Sequence, residues 1–410
     1  LKEGVIIQEQ QLVKQNVAIM WFANFFIAGS ITMVQPFLSL YIDSLGDYSA
    51  SYVQTWSGLI FSVTFVTAFI FSPIWGKVGD RFGRKPILVV FAFGLGVSLF
   101  LMGFVTSIVQ LFFLRMFMGI FTGFISMSQA LISTQTSKRV AGQVLGTLQT
   151  GSITGTLLGP LIGGVLADLF GYSATFQWLA FVLLFASLLV LFGVKEFRIQ
   201  EEEQPIHYSS RQVLLHIFRH PMLLIVMFMS MIVQVANFSV QPILSLFVGD
   251  IHGSANIAFF SGLAFSSAGL GNLLMARKWG RIGDQVGYIK ILTILLFAAG
   301  IIYFPAGFVT NLWQLIILRF LLGITIGGII PIRIAYIRQE APISMQGEVL
   351  GYNTSLRFFG NMIGPMLGGT ISAYFGYSAV FILTSALLLL SGIIMAVAQR
   401  RHPELVPNHA

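Results

Sequence analysis

Gly76-Lys77-Val78-Gly79-Asp80-Arg81-Phe82-Gly83-Arg84-Lys85 is a densely charged stretch wedged between two long apolar runs. Neither residues 55–75 nor residues 86–107 contain a charged side chain. Each run is long enough to cross a hydrocarbon core, which takes about 20 apolar residues. The stretch is therefore expected to be the tight turn of a helical hairpin lying at one membrane face. Its glycines allow close approach and unusual backbone angles. A basic anchor would account for Lys77, Arg81, Arg84 and Lys85, but not for the single acid, Asp80, or for the glycine spacing.

Composition agrees with a membrane chain. Of 410 residues, 56% are hydrophobic and only 9% charged, against about 25% charged in soluble domains. The mean hydropathy is +0.85. With no cysteine, there is no disulfide framework and no thiolate metal site. The opening residues, Leu1 to Asn16, are polar and mixed in charge, unlike a cleavable signal peptide. Twelve spans are expected near 16–41, 54–75, 86–107, 110–133, 143–168 and 172–194, then 221–247, 256–277, 288–309, 312–337, 347–372 and 377–399. Every Lys and Arg outside these spans then falls on one face, so both termini are expected in the cytoplasm. Arg277 and Lys290 stand at the cytoplasmic ends of their spans and count with that face; only Arg115, Arg319, Arg333 and Arg357 lie farther inside a span.

The two sides of residues 195–220 repeat each other. Gln35-Pro36-Phe37-Leu38-Ser39-Leu40 returns as Gln241-Pro242-Ile243-Leu244-Ser245-Leu246, and Trp75-Gly76-Lys77-Val78-Gly79-Asp80 as Trp279-Gly280-Arg281-Ile282-Gly283-Asp284. Leu114-Arg115 returns as Leu318-Arg319, and Gly171-Tyr172-Ser173-Ala174 as Gly376-Tyr377-Ser378-Ala379. A six-helix unit has been duplicated in parallel orientation. The expected divisions are an N-terminal bundle over 1–194, a cytoplasmic linker over 195–220 carrying Glu201-Glu202-Glu203 and Pro205, and a C-terminal bundle over 221–410.

The pattern G-x-x-x-D-R-x-G-R-K, at Gly76, Asp80, Arg81, Gly83, Arg84 and Lys85, resembles the signature loop of the major facilitator superfamily of transporters. The resemblance implies an all-α membrane protein of twelve transmembrane helices in two pseudo-symmetric six-helix bundles. In the second copy Gln285, Tyr288 and Ile289 replace Arg81, Arg84 and Lys85, so any latch made by this loop is asymmetric. Gly151, Gly155, Gly159 and Gly163 recur every four residues and end in Gly159-Pro160-Leu161-Ile162-Gly163-Gly164. Such a stripe lets membrane helices approach closely, and a proline bends its helix. It also resembles the antiporter motif of drug-exporting facilitators, with an echo at Gly364-Pro365-Met366-Leu367-Gly368-Gly369. Arg115 and Gly119 match the family's R-x-x-Q-G pattern except that Met118 replaces the glutamine.

Polar residues on the spans trace a pathway. Arg115, Thr122, Ser126, Gln129 and Ser133 on the fourth span keep helical spacing and are expected on one face. Asn24 and Gln35 on the first, Gln234, Asn237 and Gln241 on the seventh, and Asn353, Arg357 and Asn361 on the eleventh do the same. Taken singly, such residues serve as inter-helix glue; as aligned stripes they outline a cavity, to which Arg333 and Tyr336 of the tenth span are added. Phe22, Phe25, Met127, Met227, Phe238 and Tyr336 would supply apolar walls.

Proton exchange calls for a group that loads and releases a proton inside the bundle, yet no Asp or Glu lies deep within a span. The coupling candidates are Asp43, at the outer end of the first span, and Arg115, entering the fourth at similar depth; Asp250 and Arg319 repeat the pair. The chain lacks the G-x-x-x-x-G-K-[ST] loop of an ATP-driven pump, and no His and carboxylate cluster within the spans suits a metal. The sequence thus reads as a multi-pass plasma-membrane transporter rather than an enzyme, needing no cofactor and no nucleic acid. It is expected to be a monomer that exports amphipathic drugs or related small molecules, anionic or zwitterionic ones included, in exchange for protons by alternating access. The rival readings are a lipid or amphiphile exporter, an uncoupled facilitator, and a membrane receptor or sensor.

Overall fold

The computed structural model describes residues 2–136, 138–197, 209–342 and 344–401. The acidic run Glu201-Glu202-Glu203 and Pro205 lie outside the described residues. Among those described there is no strand, and sixteen helices carry the chain. They are α1 (Lys2–Met33), α2 (Leu38–Ser44), α3 (Ala50–Phe82), α4 (Arg84–Met102), α5 (Ile108–Gly119), α6 (Phe124–Thr134), α7 (Lys138–Phe170) and α8 (Tyr172–Gly193). After α9 (Ser210–Arg219) come α10 (Pro221–Ser239), α11 (Gln241–His252), α12 (Ile257–Val286), α13 (Tyr288–Ala306), α14 (Leu312–Glu340), α15 (Gln346–Phe375) and α16 (Tyr377–Arg401).

Eleven stretches among the described residues are long and apolar enough to cross a membrane. The twelfth expected span is α15, whose 30 residues reach about 45 Å at the helical rise. Its glycines and polar side chains, Asn353, Arg357 and Asn361 among them, leave it less apolar than the rest. The protein is thus all-helical and consistent with a twelve-helix membrane fold.

Three spans expected to be continuous are broken. The first splits at Val34–Phe37, where Gln35 and Phe37 donate to the carbonyls of Thr32 and Val34, three residues back. The seventh splits at Val240, and Pro242 sits in the first turn of α11. Proline lacks an N–H and fits where a helix starts anew, so the repeated Gln-Pro marks a helix break in both copies. The fourth span splits between Gly119 and Phe124. These breaks correct the expected polar stripes: Thr122 lies in a turn, Ser126 and Gln129 lie beyond it from Arg115, and Gln35 and Gln241 lie past the ends of the helices carrying Asn24 and Gln234. The signature stretch differs too. Helix α3 runs on through Phe82, and the only residue between it and α4 is Gly83, at φ +94°. Gly287, Gly171 and Gly376 hold the same left-handed backbone between α12 and α13, α7 and α8, and α15 and α16, so the sequence repeat extends to the backbone.

The described chain forms two compact units. One comprises Leu1–Asp47, Val63–Glu202 and Asn256–Leu263; the other comprises Tyr48–Ser62, Glu203–Ala255 and Ala264–Ala410. Within the first, α1 packs along α7 and α4 along α8. Within the second, α10 packs along α15 and α13 along α16. The residues expected to be a plain linker include α9, an amphipathic helix begun by a capping box between Ser209 and Gln212. It buries Val213 and Ile217 against α10 and α15.

Candidate functional site

The signature stretch is built on the ends of α3 and α4. Asp80, 71% exposed at its side chain, makes a 3.2 Å ion pair with Arg84 one turn on. The other guanidinium arm of Arg84 donates to the carbonyl of Ala130, and Arg81 lies over the Phe82 ring. The carboxylate that caps α4 is Glu196, not Asp80. It accepts from the backbone N–H of Arg84 at 2.8 Å and of Lys85 at 3.0 Å. Asn16 and Gln135 hold the adjoining segment by donating to the Lys195 carbonyl. No pattern in the signature points to Glu196; its one signal is being an acid just beyond the sixth span. Gly76 faces open space, while Gly79 packs on Met127, a residue expected to line a cavity wall.

The glycine ladder of α7 is a helix-packing surface. A Cβ on Gly151, Gly155, Gly159 or Gly163 would collide with the backbone of α1 at Trp21, Phe25, Gly29 and Met33 in turn. Gly164 abuts the Ala258 carbonyl, and the Pro160 carbonyl abuts Gly262 on α12. Asp168, farther along α7, accepts from the Ala258 and Phe259 N–H groups at 3.3 and 2.7 Å. In the other unit, Gly360, Gly364 and Gly368 meet α10 at Met231, Val235 and Ser239 in the same manner.

The coupling candidates do not pair. Asp43 is exposed at the end of α2, whereas Arg115 is 6% exposed and donates to the Met118 sulfur at 3.5 Å. Arg115 points into the protein, where its carbonyl accepts from Thr64. Arg319, its repeat, is also buried, against the Ala264 carbonyl and the Phe265 ring. The expected Asp43–Arg115 ion pair is absent among the described residues because one group faces solvent and the other the interior.

The cavity candidates divide into satisfied and unsatisfied groups. Asn24 is buried and its amide nitrogen donates to Ser128 on α6 at 2.9 Å, the glue role, while its Oδ1 has no partner. Gln234 likewise donates to Asn361 at 2.9 Å. Gln35, Gln129, Asn237 and Gln241 are half-buried. Phe22 is 51% exposed and borders a cavity of about 500 Å³ between α1 and α7, with Lys14, Trp21 and Gln143. Most of the unsatisfied atoms among these candidates lie on α14 and α15. Arg333 is 1% exposed, and none of its three guanidinium nitrogens has a hydrogen-bond partner. The Arg357 Nε, the Tyr336 hydroxyl and the Asn353 Oδ1 are buried without partners too. Buried polar groups normally find partners, so this concentration is the least ordinary feature of the second unit.

Comparison with known proteins places this architecture. A family model described as the Major Facilitator Superfamily matches residues 20–301 and again 226–410. An uncharacterized MFS-type transporter, YuxJ of Bacillus subtilis, is 51% identical over 93% of this chain and 97% of its own. The multidrug resistance protein MdtG of Enterobacter lignolyticus is 39% identical over 95% of this chain and 93% of its own. Among solved structures, an inward-facing, occupied bacterial homolog of the human lysosomal transporter Spinster superposes with a TM-score of 0.80. It covers 98% of this chain and 99% of that one, at 13% identity, a likeness of fold alone. The duplicated helical frame, its signature stretch and these matches agree: the chain belongs to the Major Facilitator Superfamily.

Proposed function

We propose that the protein exports amphipathic small molecules by alternating access, exchanging them for protons. Supporting this is the cluster of buried, unpartnered polar groups on α14 and α15, which holds every guanidinium nitrogen of the buried Arg333. A frame that admits a polar solute needs such groups free to receive it. The likeness along nearly the whole chain to relatives named multidrug resistance protein MdtG supports export of drug-like compounds. The one-sided distribution of Lys and Arg supports an inner-membrane protein with both termini cytoplasmic, working as a monomer. With no carboxylate deep in a span, the proton carrier in this reading is a peripheral acid such as Asp43, acting without a static Arg115 partner.

An uncoupled facilitator is the second reading, favoured by that same lack of a deep carboxylate. Vesicle uptake of an amphipathic dye, with and without an imposed pH gradient, separates the two. Gradient-driven accumulation supports exchange, and equilibration at the same rate under both conditions removes it. No movement of any compound removes the transporter reading itself.

A further inference from the structure

Arg333 and Tyr336 stand one turn apart on α14, and Asn353 and Arg357 one turn apart on the neighbouring α15. Counted back from the end of α14 at Glu340 and forward from the start of α15 at Gln346, Arg333 and Asn353 lie equally far along these consecutive, packed helices, and Arg357 is one turn farther on. Among the described residues neither arginine makes an ion pair. Two like charges thus sit on neighbouring helices within about one turn of the same depth, one of them buried and neither paired with an acid.

Neighbouring arginines show that this is not the general condition of buried arginine here. Arg319 is also buried, but a carbonyl and an aromatic ring take up its head. Nor does Arg357 have a broken helix to bond with. Helix α15 runs unbroken through it, and the carbonyl that Pro365 leaves unbonded belongs to Asn361, a turn farther on. Asn361 is itself occupied with Gln234. What remains open is a set of donors, three from Arg333, one from Arg357 and the Tyr336 hydroxyl, together carrying two positive charges.

We propose that Arg333 and Arg357, with Tyr336 and Asn353 beside them, form a binding site for the oxyanion head of an amphipathic substrate, a carboxylate or a phosphate. The guanidinium fork is the side-chain group whose geometry matches such oxyanions bidentately. Two charges match a doubly charged phosphate monoester better than a singly charged carboxylate. This rests on the exporter reading for its context, but concerns binding, which can be measured without transport.

The full-length protein in nanodiscs would be titrated calorimetrically with octyl phosphate, octanoate, octanol and octyltrimethylammonium, equal in chain length and different in head. The expected order of affinity is phosphate, carboxylate, alcohol, then cation. Arg357→Gln should weaken octyl phosphate at least tenfold and leave octanol unchanged. Arg333→Lys, which keeps a charge but loses the fork, should give an intermediate loss; Arg333 is deeply buried, so Arg357→Gln and the wild-type ranking carry the test if that variant does not fold. Equal affinities for all four heads overturn the proposal, as does an Arg357→Gln protein that binds octyl phosphate as tightly as wild type. Export of the same four compounds from vesicles is read separately. Binding in the expected order without export leaves the site standing and removes the exporter reading; export without head preference does the reverse.

Discussion

The Glu196 carboxylate accepts hydrogen bonds from the backbone N–H groups of Arg84 and Lys85, at 2.8 and 3.0 Å, and so closes the N-terminus of α4. The first N–H groups of a helix have no intrahelical partner, and Gly83 at φ +94° turns those of α4 toward the chain after α8. A charged cap also favours the positive end of the helix dipole, the two effects together being worth about 1–2 kcal/mol. Glu196→Ala should therefore lower the thermal midpoint of the purified protein measurably, and Glu196→Gln should do so by less. An unchanged midpoint in the alanine variant would mean that the cap adds nothing.

Asp80 is expected to behave differently. Its partner is Arg84 on the surface, and exposed pairs contribute about 0.2–1 kcal/mol. Asp80→Asn should leave folding and membrane insertion nearly intact. If the signature stretch latches one conformation, the same change should cut transport about tenfold, a loss of roughly 1.4 kcal/mol of preference for that state. Normal transport by a well-expressed variant rules the latch out. A large drop in thermal midpoint would instead make Asp80 a structural residue.

Much of this frame was legible because it rests on backbone demands that glycine and proline announce. Gly83, Gly171, Gly287 and Gly376 all adopt positive φ, and all belong to stretches that the duplication repeats. Pro36 and Pro242 mark two of the helix breaks, yet the apolar runs continue through them, because run length says nothing about whether backbone hydrogen bonding continues. At Ile120–Gly123 no proline marks the break. The depth of Arg357 could be counted along its helix, but that Arg333 is buried without partners depends on side chains arriving from other helices. Glu196 was illegible for the same reason: a cap formed more than a hundred residues away leaves no local pattern. Helix α9 has little signal in the sequence because ten residues, half of them polar, beside an acidic run resemble solvated chain.

Glycines on α7 should respond with opposite signs along one helix. Alanine at Gly155 or Gly163 puts a methyl group into the backbone of α1 at Phe25 or Met33, where nothing flexible can give way. Overpacking of this kind costs about 1–3 kcal/mol. Gly142 and Gly146, earlier on the same helix, face open space. Alanine there should stabilise by about 0.5–1 kcal/mol, since glycine is the poorer helix former. Thermal midpoints of the four single variants check this. Equal shifts at all four positions would show that the ladder is not a close contact.

The docking of α9 should weaken in acid. Burial, first, and the His220 ring 4.3 Å away hold His216 below the ordinary histidine value, while a hydrogen bond to the Glu340 backbone works the other way. The His216 Nε2 is buried without a partner, which suits the neutral ring. With the folded value lower than the unfolded one, the folded protein binds fewer protons here than the unfolded chain. The stabilisation is then fully present above the ordinary value of about 6.5 and declines as pH falls through it toward the folded value. Hydrogen exchange over residues 210–219 should be slow at neutral pH and faster below about pH 6, after correction for the intrinsic rate. His216→Gln should remove that pH dependence. His220 and Glu340 are the neighbouring titratable groups, so His220→Gln, which takes away the repelling ring, should shift the change to lower protonation sensitivity without abolishing it. Exchange in α9 that is equally pH-dependent in wild type and His216→Gln would assign the effect to another group.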